Sequence, residues 1–223
     1  MSLLIHQMAH SPFCIPITTA LDSLGVAYEA REVPNWDRSE IIRLTGGAYY
    51  QVPVLIHDGR VVYESGPDSQ DVAQYVDRNF AGGRLFPKAL AGPQLCVIEF
   101  LENEVEARGF KLADIHYVPA IADLVARTMV VRHKERRFGR GCVEQWRANA
   151  AAIRAELDAL LSRFETTLTH QPFLFGGAPV YADFLLHGVT GNFLYHGWNA
   201  LSPAQSALTA FRDRLAAFRF VSA

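Results

Sequence analysis

The sequence has few cysteines, no long apolar run and no excess of charge of one sign. Its three cysteines, Cys14, Cys96 and Cys142, are odd in number and far apart, which fits reduced thiols better than a disulfide framework or a zinc site. No segment approaches the roughly 18 apolar residues that a membrane-spanning helix needs. The formal net charge of −2 argues against a general nucleic-acid-binding protein, because such proteins present a basic excess to phosphate.

The N-terminal segment and the composition are those of an ordinary cytoplasmic protein. The start, MSLLIHQMAHSP, has no basic region, and its short apolar stretch is interrupted by His and Gln, so no signal peptide is expected. Of the 223 residues, 50% are hydrophobic and 20% are charged. This length suffices for one large domain or two small ones with a buried core.

Hydrophobic patterning predicts an α/β fold for residues 1–80. The predicted elements are strands at 3–8, 26–33, 54–56 and 61–63 and helices at 14–24, 39–44 and 68–79. The Asp58-Gly59 pair between the last two strands favours the positive φ angles of a tight hairpin turn. The order βαβαββα predicts a small mixed sheet that is covered on both faces.

The remainder of the chain is patterned as helices. Residues 81–89 are rich in glycine and proline and form the predicted linker, and residues 90–223 form the predicted helical domain. The clearest helical period runs over residues 145–168, and further helices are predicted at 181–195 and 204–218. The sequence thus predicts an α/β domain followed by an all-α domain.

Ser11-Pro12-Phe13-Cys14 lies between the first predicted strand and the first predicted helix. Free N–H groups and the helix dipole favour an anion at such a position. A hydroxyl that donates to a thiolate stabilises it by about 1.5 to 3 kcal/mol, and the dipole adds about 0.3 to 1 kcal/mol. Because one pKa unit corresponds to about 1.4 kcal/mol, the hydroxyl and the dipole together could lower a thiol pKa of roughly 8.5 by one to three units. Ser11 could equally be only a helix cap, and the residues leave both interpretations open.

Cys14 occupies the place of the second cysteine in a Cys-x-x-Cys motif. Because Ser11 stands in the first place, the attacking cysteine of a disulfide reductase is missing. Cys14 is either a buried helix residue or a thiol whose pKa is lowered by the helix start.

Gln51-Val52-Pro53 follows about forty residues after Ser11, which is the spacing of a thioredoxin-like domain. A cis Val52-Pro53 bond would turn the N–H and C=O of the valine toward a ligand, where an extended peptide can pair with them like an added strand. An ordinary trans proline at a strand start is the alternative.

Together these motifs resemble a cytosolic-type, bacterial glutathione S-transferase with a serine-type active site. The resemblance covers nearly the whole chain, since residues 11–75 and 173–192 both match family patterns. It implies a thioredoxin-like glutathione-binding domain and a helical domain that supplies most of the second-substrate pocket. It also implies a homodimer, glutathione as co-substrate, a small hydrophobic or aromatic electrophile and a role in detoxification.

The resemblance makes Ser11 the catalytic residue. It assigns glutathione binding to Phe13, Gln51, Val52, Pro53, Asp68 and Ser69. The family places an acidic residue or glutamine, followed by serine, at the start of the third helix, where the pair holds the ammonium and carboxylate of the γ-glutamyl group. Glu64-Ser65 fits this role by strand length, whereas Asp68-Ser69 fits the family spacing to Tyr75 without a gap. Asp68-Ser69 is therefore the predicted pair.

Residues 173–184 resemble the loop and core helix of the second family domain. The family has Ser or Thr three residues before Asp183, but this chain has Val180. Asp183 can still accept from the N–H of residue 180, whereas the reciprocal side-chain cap is lost at a cost of about 1 kcal/mol.

The stretch 132–140 carries five Lys or Arg side chains and one acid. Its pattern favours a solvated helix face or a subunit contact over an anion site. If it faced the cleft, acidic second substrates would be favoured.

Three hypotheses follow from the sequence. The first is an enzyme in which Ser11 stabilises the glutathione thiolate for attack on an electrophile. The second is a thiol–disulfide or deglutathionylating enzyme that depends on Cys14. The third is a non-catalytic protein of the same fold that binds ligands.

Overall fold

The computed structural model describes residues 2–66 and 70–221. Its first half contains β1 (Leu3–Gln7), α1 (Cys14–Ser23), β2 (Glu29–Glu32), α2 (Ser39–Leu44), β3 (Val54–His57), β4 (Arg60–Val62) and α3 (Asp71–Val76). This order confirms the predicted βαβαββα succession. A π-helical segment, Asp77–Ala81, extends α3.

The second half is helical throughout. It contains a 3₁₀ turn (Lys88–Leu90), α4 (Ala91–Phe100), a π-helical segment (Leu101–Glu106), α5 (Ala107–Ala120), α6 (Leu124–Phe138), α7 (Cys142–Ala148), α8 (Ala150–His170), α9 (Tyr181–Phe193), a 3₁₀ turn (Tyr195–Gly197) and α10 (Ser206–Ala217). Among the described residues, no helix is both long enough and apolar enough to cross a bilayer.

The helix predicted over residues 145–168 is in fact two helices. Asn149 separates α7 from α8, with φ of −105° and ψ of 13°. Its side-chain Nδ2 donates to the carbonyl of Gln145 at 2.8 Å, and its backbone N–H donates to the same carbonyl at 3.0 Å. The hydrophobic period continues across this break, which is why the pattern predicts one helix.

The sheet has the strand order β2-β1-β3-β4. Strand β1 pairs parallel to β2 and antiparallel to β3, which in turn pairs antiparallel to β4. Asp58 and Gly59 connect β3 to β4 with φ angles of 47° and 85°. Positive φ at both positions is what the predicted hairpin turn requires.

Both faces of the sheet are covered, as predicted. On one face, Ile5 and Leu55 lie opposite each other in the ladder and are buried in a cluster with residues of α1 and α3. On the other face, Val54 is buried with Ile41 of α2. The sheet therefore presents its strand ends, and the loops that follow them, to the helical half.

Asp183 holds the start of α9. Its carboxylate accepts from the backbone N–H of Val180 at 3.0 Å and from that of Leu174 at 2.7 Å. Burial raises the pKa of Asp183 to about 7, although the two N–H donors act in the opposite direction. Val180 has no side-chain acceptor, so the predicted half of the capping box is present and the reciprocal half is absent.

Helix α9 also packs closely against α1. A Cβ atom placed on Gly188 would lie 2.5 Å from the Pro16 ring and 2.6 Å from the carbonyl oxygen of Pro12. Four residues later, the side chain of Asn192 donates to the carbonyl of His10 at 2.7 Å. The loop before α1 is thus fixed to the helical half.

The Gly188→Ala variant tests this contact. We expect its free energy of unfolding to fall by about 1 to 3 kcal/mol, because an added methyl overpacks a rigid ring and a backbone carbonyl. This loss should appear although alanine favours a helix over glycine by about 1 kcal/mol. Urea unfolding monitored by circular dichroism measures the difference.

Gly191→Ala is the matched control. Its nearest neighbour would be the flexible end of Ile15 at 3.2 Å, so this variant should be as stable as the parent or more stable. Equal stability of the two variants would contradict the close packing at Gly188.

Candidate active site

A cleft between the sheet-containing half and the helical half has two connected pockets. The Ser11 pocket, of about 260 Å³, and the Pro53 pocket, of about 250 Å³, share a set of walls. The shared residues are Phe13, Gln51, Val52, Glu102, Asn103, Glu106 and Arg137. Five of the predicted site residues thus lie on one cleft: Ser11, Phe13, Gln51, Val52 and Pro53.

Ser11 is positioned by the loop between β1 and α1. Its backbone N–H donates to the carbonyl of Met8 at 2.8 Å. Its Oγ accepts from the N–H of Phe13 at 3.3 Å and from that of Cys14 at 3.4 Å. The hydroxyl therefore caps α1, and because a hydroxyl is both donor and acceptor, its proton can be donated to the Cys14 thiol or to a ligand.

Cys14 lies behind Ser11 and lines neither pocket. Its exposed fraction is 0%. Burial raises the pKa of the Cys14 thiol to about 12, although the bond to Ser11 acts in the opposite direction. The thiol is thus protonated at neutral pH and does not contact solvent, which opposes a nucleophilic role.

Gln51-Val52-Pro53 follows a braced turn. Thr45 Oγ1 accepts from the N–H of Tyr49 at 3.1 Å and donates to its carbonyl at 2.7 Å. The Val52-Pro53 bond is cis, which is the first of the two alternatives that the sequence leaves open. Within the described residues, neither the N–H nor the C=O of Val52 has a hydrogen-bond partner. The valine backbone can therefore pair with an extended ligand.

The start of α3 is bound by an acidic side chain. The Glu64 carboxylate accepts from the N–H of Asp71 at 2.7 Å and from that of Val72 at 3.2 Å, and Glu64 lines the Pro53 pocket. The predicted ligands Asp68 and Ser69 lie outside the described residues.

Arg38 is a cleft residue that the sequence analysis missed. Its Nη2 donates to Asn35 Oδ1 at 2.8 Å. Its Nη1 is buried and has no partner among the described residues. Burial lowers the pKa of the Arg38 guanidinium, yet an arginine keeps its charge in proteins. An unsatisfied buried donor at the Ser11 pocket provides a place for an anionic group. A lone arginine before Ser39 gave no sequence signal of this role.

The basic stretch contributes one side of α6 to the cleft. Four of its residues line the Ser11 pocket: His133, Lys134, Arg137 and Phe138. These four residues lie on one side of α6, because positions three or four apart share a helix face. Arg137 and Phe138 are exposed there, so this side of α6 is both solvated and a wall of the cleft.

The positive charge that α6 contributes to the Ser11 pocket is smaller than the basic stretch indicates. Lys134 forms an ion pair with the buried Asp114 of α5. Burial lowers the pKa of His133, and it lowers the pKa of His10, on the facing loop, to about 4. Both histidines are therefore neutral at pH 7, and Arg137 is the remaining α6 cation in the pocket.

Glu106 is a second cleft residue without a sequence signal. It ends the π-helical segment between α4 and α5 and lines both pockets. Burial raises the pKa of Glu106 to about 7. Perturbed carboxyl groups in clefts are frequent at functional sites.

Cysteine alkylation tests the burial of Cys14. In the native protein, iodoacetamide should modify Cys96 alone, because Cys96 is exposed whereas Cys14 and Cys142 are buried. Intact mass and peptide mapping identify the modified residue. In guanidinium all three cysteines should react, and the native Cys96→Ser variant should take up no label rapidly. Labelling of native Cys14 at the rate of Cys96 would contradict the structure.

Comparisons with known proteins agree with this fold. Residues 5–84 match the sequence profile of the family described as "Glutathione S-transferase, N-terminal domain". A protein named "Probable glutathione S-transferase GSTU6" from Oryza sativa subsp. japonica is 27% identical over 212 residues, which cover 93% of this chain and 81% of the rice protein.

Solved structures of glutathione transferases have the same architecture. Glutathione transferase GSTFuA3 from Phanerochaete chrysosporium aligns with a TM-score of 0.82 at 17% identity and covers 100% of this chain and 99% of its own. Rice GST1 (OsGSTU1), solved in complex with glutathione, aligns with a TM-score of 0.63 at 20% identity and covers 96% and 87%. At these identities the structures establish the fold. Residues 5–84 thus match the N-terminal domain of glutathione S-transferases in sequence, and the whole chain has the glutathione transferase fold.

Proposed function

We propose that this protein is a transferase that activates the thiol of glutathione for attack on a small aromatic electrophile. The similarity of this chain to glutathione transferases supports glutathione as the co-substrate. One observation carries the proposal: Ser11 lines the same pocket as Val52, whose backbone N–H and C=O have no hydrogen-bond partner among the described residues. The Ser11 hydroxyl can stabilise a thiolate, and the Val52 backbone can bind the peptide of glutathione that carries the thiol.

Ser11 is the proposed activating residue. Two backbone N–H groups already donate to its Oγ, at 3.3 and 3.4 Å, so its O–H is oriented away from them. Donation of that proton to a thiolate stabilises the thiolate by about 1.5 to 3 kcal/mol. Since one pKa unit corresponds to about 1.4 kcal/mol, this bond alone lowers the thiol pKa by about one to two units.

Val52 is the proposed docking edge for the cysteinyl part of glutathione. An extended peptide that pairs with its N–H and C=O lies along the cleft, with one end in each pocket. Gln51 and Phe13 line both pockets and would contact the peptide from either side, and Pro53 borders the pocket that leads toward α3.

The two carboxylates of glutathione need separate partners. Arg38, with its unpartnered Nη1, is the proposed donor to the glycyl carboxylate. Asp68 and Ser69 are the proposed ligands of the γ-glutamyl group, because the family spacing to Tyr75 fits them without a gap. The competing Glu64 bonds to the start of α3.

The helical half supplies the proposed electrophile site. Phe110 and Phe138 line the Ser11 pocket with ring centroids 5.3 Å apart, which suits an aromatic substrate. Arg137 in the same wall would favour a substrate that also carries an acidic group. Detoxification in the cytoplasm by a homodimer is the proposed biological setting, in line with the family.

The two other hypotheses are less well supported. A Cys14-dependent enzyme needs an accessible thiolate, whereas Cys14 is buried and its pKa is raised. A non-catalytic binding protein does not need the Ser11 hydroxyl in the same pocket as a free peptide-docking edge.

Titration of bound glutathione tests the role of Ser11. In Ser11→Ala the apparent pKa of the bound thiol, followed by thiolate absorbance, should rise by about one to two units because the donor is lost. Asp123→Ala is the control, since Asp123 caps α6 by accepting from Ala126 at 2.7 Å. It should cost about 1 kcal/mol of stability and leave the thiol pKa unchanged. An unchanged thiol pKa in Ser11→Ala would refute the serine mechanism.

A pair of variants tests the γ-glutamyl site. Asp68→Asn should raise the dissociation constant of glutathione about 10- to 100-fold, because a charged hydrogen bond to the ammonium is lost. Glu64→Gln should change it less than about threefold and instead lower protein stability, because its carboxylate binds two N–H groups of α3. Isothermal titration calorimetry gives both constants. The reverse order of effects would assign the site to Glu64-Ser65.

A further inference from the structure

The carboxyl group of Glu106 lies in the cleft and has no role in the function proposed above. It closes the π-helical segment Leu101–Glu106, and π-helical turns inside longer helices occur often at functional sites. Among the described residues, no group forms a hydrogen bond or an ion pair with its side chain. It lines the Ser11 pocket together with Ser11 and Val52. Glu106 is intermediate in exposure, so its carboxyl is open to a ligand in the cleft.

The surroundings of Glu106 keep it partly protonated at neutral pH. Burial is the largest cause, and the neighbouring carboxylates Asp114 and Glu102 act in the same direction. Arg137 and Lys134 of α6 oppose them, but Lys134 is itself paired with Asp114. From the sheet half, Arg38 is the charged residue of the same pocket.

The size of this effect matters for proton transfer. An ordinary glutamic acid, with a pKa of about 4.3, is protonated to roughly 0.2% at pH 7. The pKa of Glu106 is about 7, so a far larger fraction of the molecules carries the proton at neutral pH. A general acid works best when its pKa lies near the working pH.

We propose that Glu106 is the general acid of this transferase and delivers a proton to the electrophile as the thiolate attacks it. The inference rests on the glutathione-conjugating function proposed above. It also names a substrate class: electrophiles whose addition product is an oxyanion, such as α,β-unsaturated carbonyl compounds.

The step balances without any further reactant. The thiol of glutathione loses its proton to solvent when it binds. The sulfur of the thiolate then forms a bond to the β-carbon, the C=C π pair shifts toward the carbonyl, and the carbonyl oxygen takes the proton of Glu106. The resulting enol tautomerises to the carbonyl thioether. Glu106, left as a carboxylate, regains a proton from solvent.

Two electrophiles separate this role from simple positioning. An aromatic α,β-unsaturated ketone needs a proton on oxygen, whereas 1-chloro-2,4-dinitrobenzene releases chloride, which needs none. In Glu106→Gln, kcat/KM for the ketone should fall about a hundredfold, in the usual range for loss of a general acid. For 1-chloro-2,4-dinitrobenzene, kcat/KM should change less than about threefold.

Glu104→Gln is the matched control. Glu104 belongs to the same π-helical segment but binds Arg108 at 2.8 Å and lines neither pocket. This variant should keep the parent rates with both electrophiles. Glutathione binding measured by calorimetry shows whether each variant is folded.

The parent protein gives an independent test that needs no variant. We compare kcat/KM for the ketone with kcat/KM for 1-chloro-2,4-dinitrobenzene. Their ratio should fall about tenfold per pH unit above the pKa of Glu106. Ionisation of the thiol affects both reactions equally, so it cancels in this ratio. In Glu106→Gln this fall should disappear.

The outcomes also separate this inference from the proposed function. Equal losses with both electrophiles in Glu106→Gln, no loss with either, or a ratio independent of pH in the parent would overturn the role of Glu106 alone. If the parent turns over neither electrophile, the transferase function is refuted and the role of Glu106 with it.

Discussion

The cleft depends on the contact between α1 and α9. Gly188 lets the Pro16 ring and the Pro12 carbonyl approach the axis of α9, and Asn192 binds the carbonyl of His10 at 2.7 Å. These contacts lie on both sides of Ser11. The loop that carries the hydroxyl is thus held by the helical half, although it belongs to the sheet half. As a result, the two walls of the cleft keep their separation, and groups on opposite walls can act on one substrate.

Helix capping by Ser11 is compatible with its proposed role in thiol activation. The N–H groups of Phe13 and Cys14 donate to its oxygen, and a hydroxyl that accepts hydrogen bonds becomes a stronger donor. Burial raises the pKa of Cys14 to about 12, so the protein forms no thiolate of its own that would compete for the hydroxyl proton. The sequence alone leaves a capping serine and an activating serine as alternatives, whereas this geometry allows one side chain to serve as both.

Features that depend on near neighbours in sequence were predictable. The hairpin at Asp58-Gly59 and the bond from Val180 to Asp183 each involve residues within a few positions, so local patterns reveal them. The cleft positions of Arg38 and Glu106 follow from packing between distant helices and loops, and no local pattern encodes them. The net charge of the basic stretch was hidden for the same reason, because its charge count does not show that Asp114 neutralises Lys134.

The two walls of the cleft shift proton affinities in opposite senses. On the sheet side, N–H groups, a helix start and a hydroxyl favour an anion, and in the proposed mechanism they lower the pKa of the bound thiol from about 8.5 toward neutrality. On the helical side, burial raises the pKa of Glu106 toward neutrality. Paired groups whose environments move their pKa values in this way identify a nucleophile and an acid. In the proposed reaction, the thiol loses its proton and the product gains one at the same pH. The fold therefore explains why both events can occur in one cleft at neutral pH.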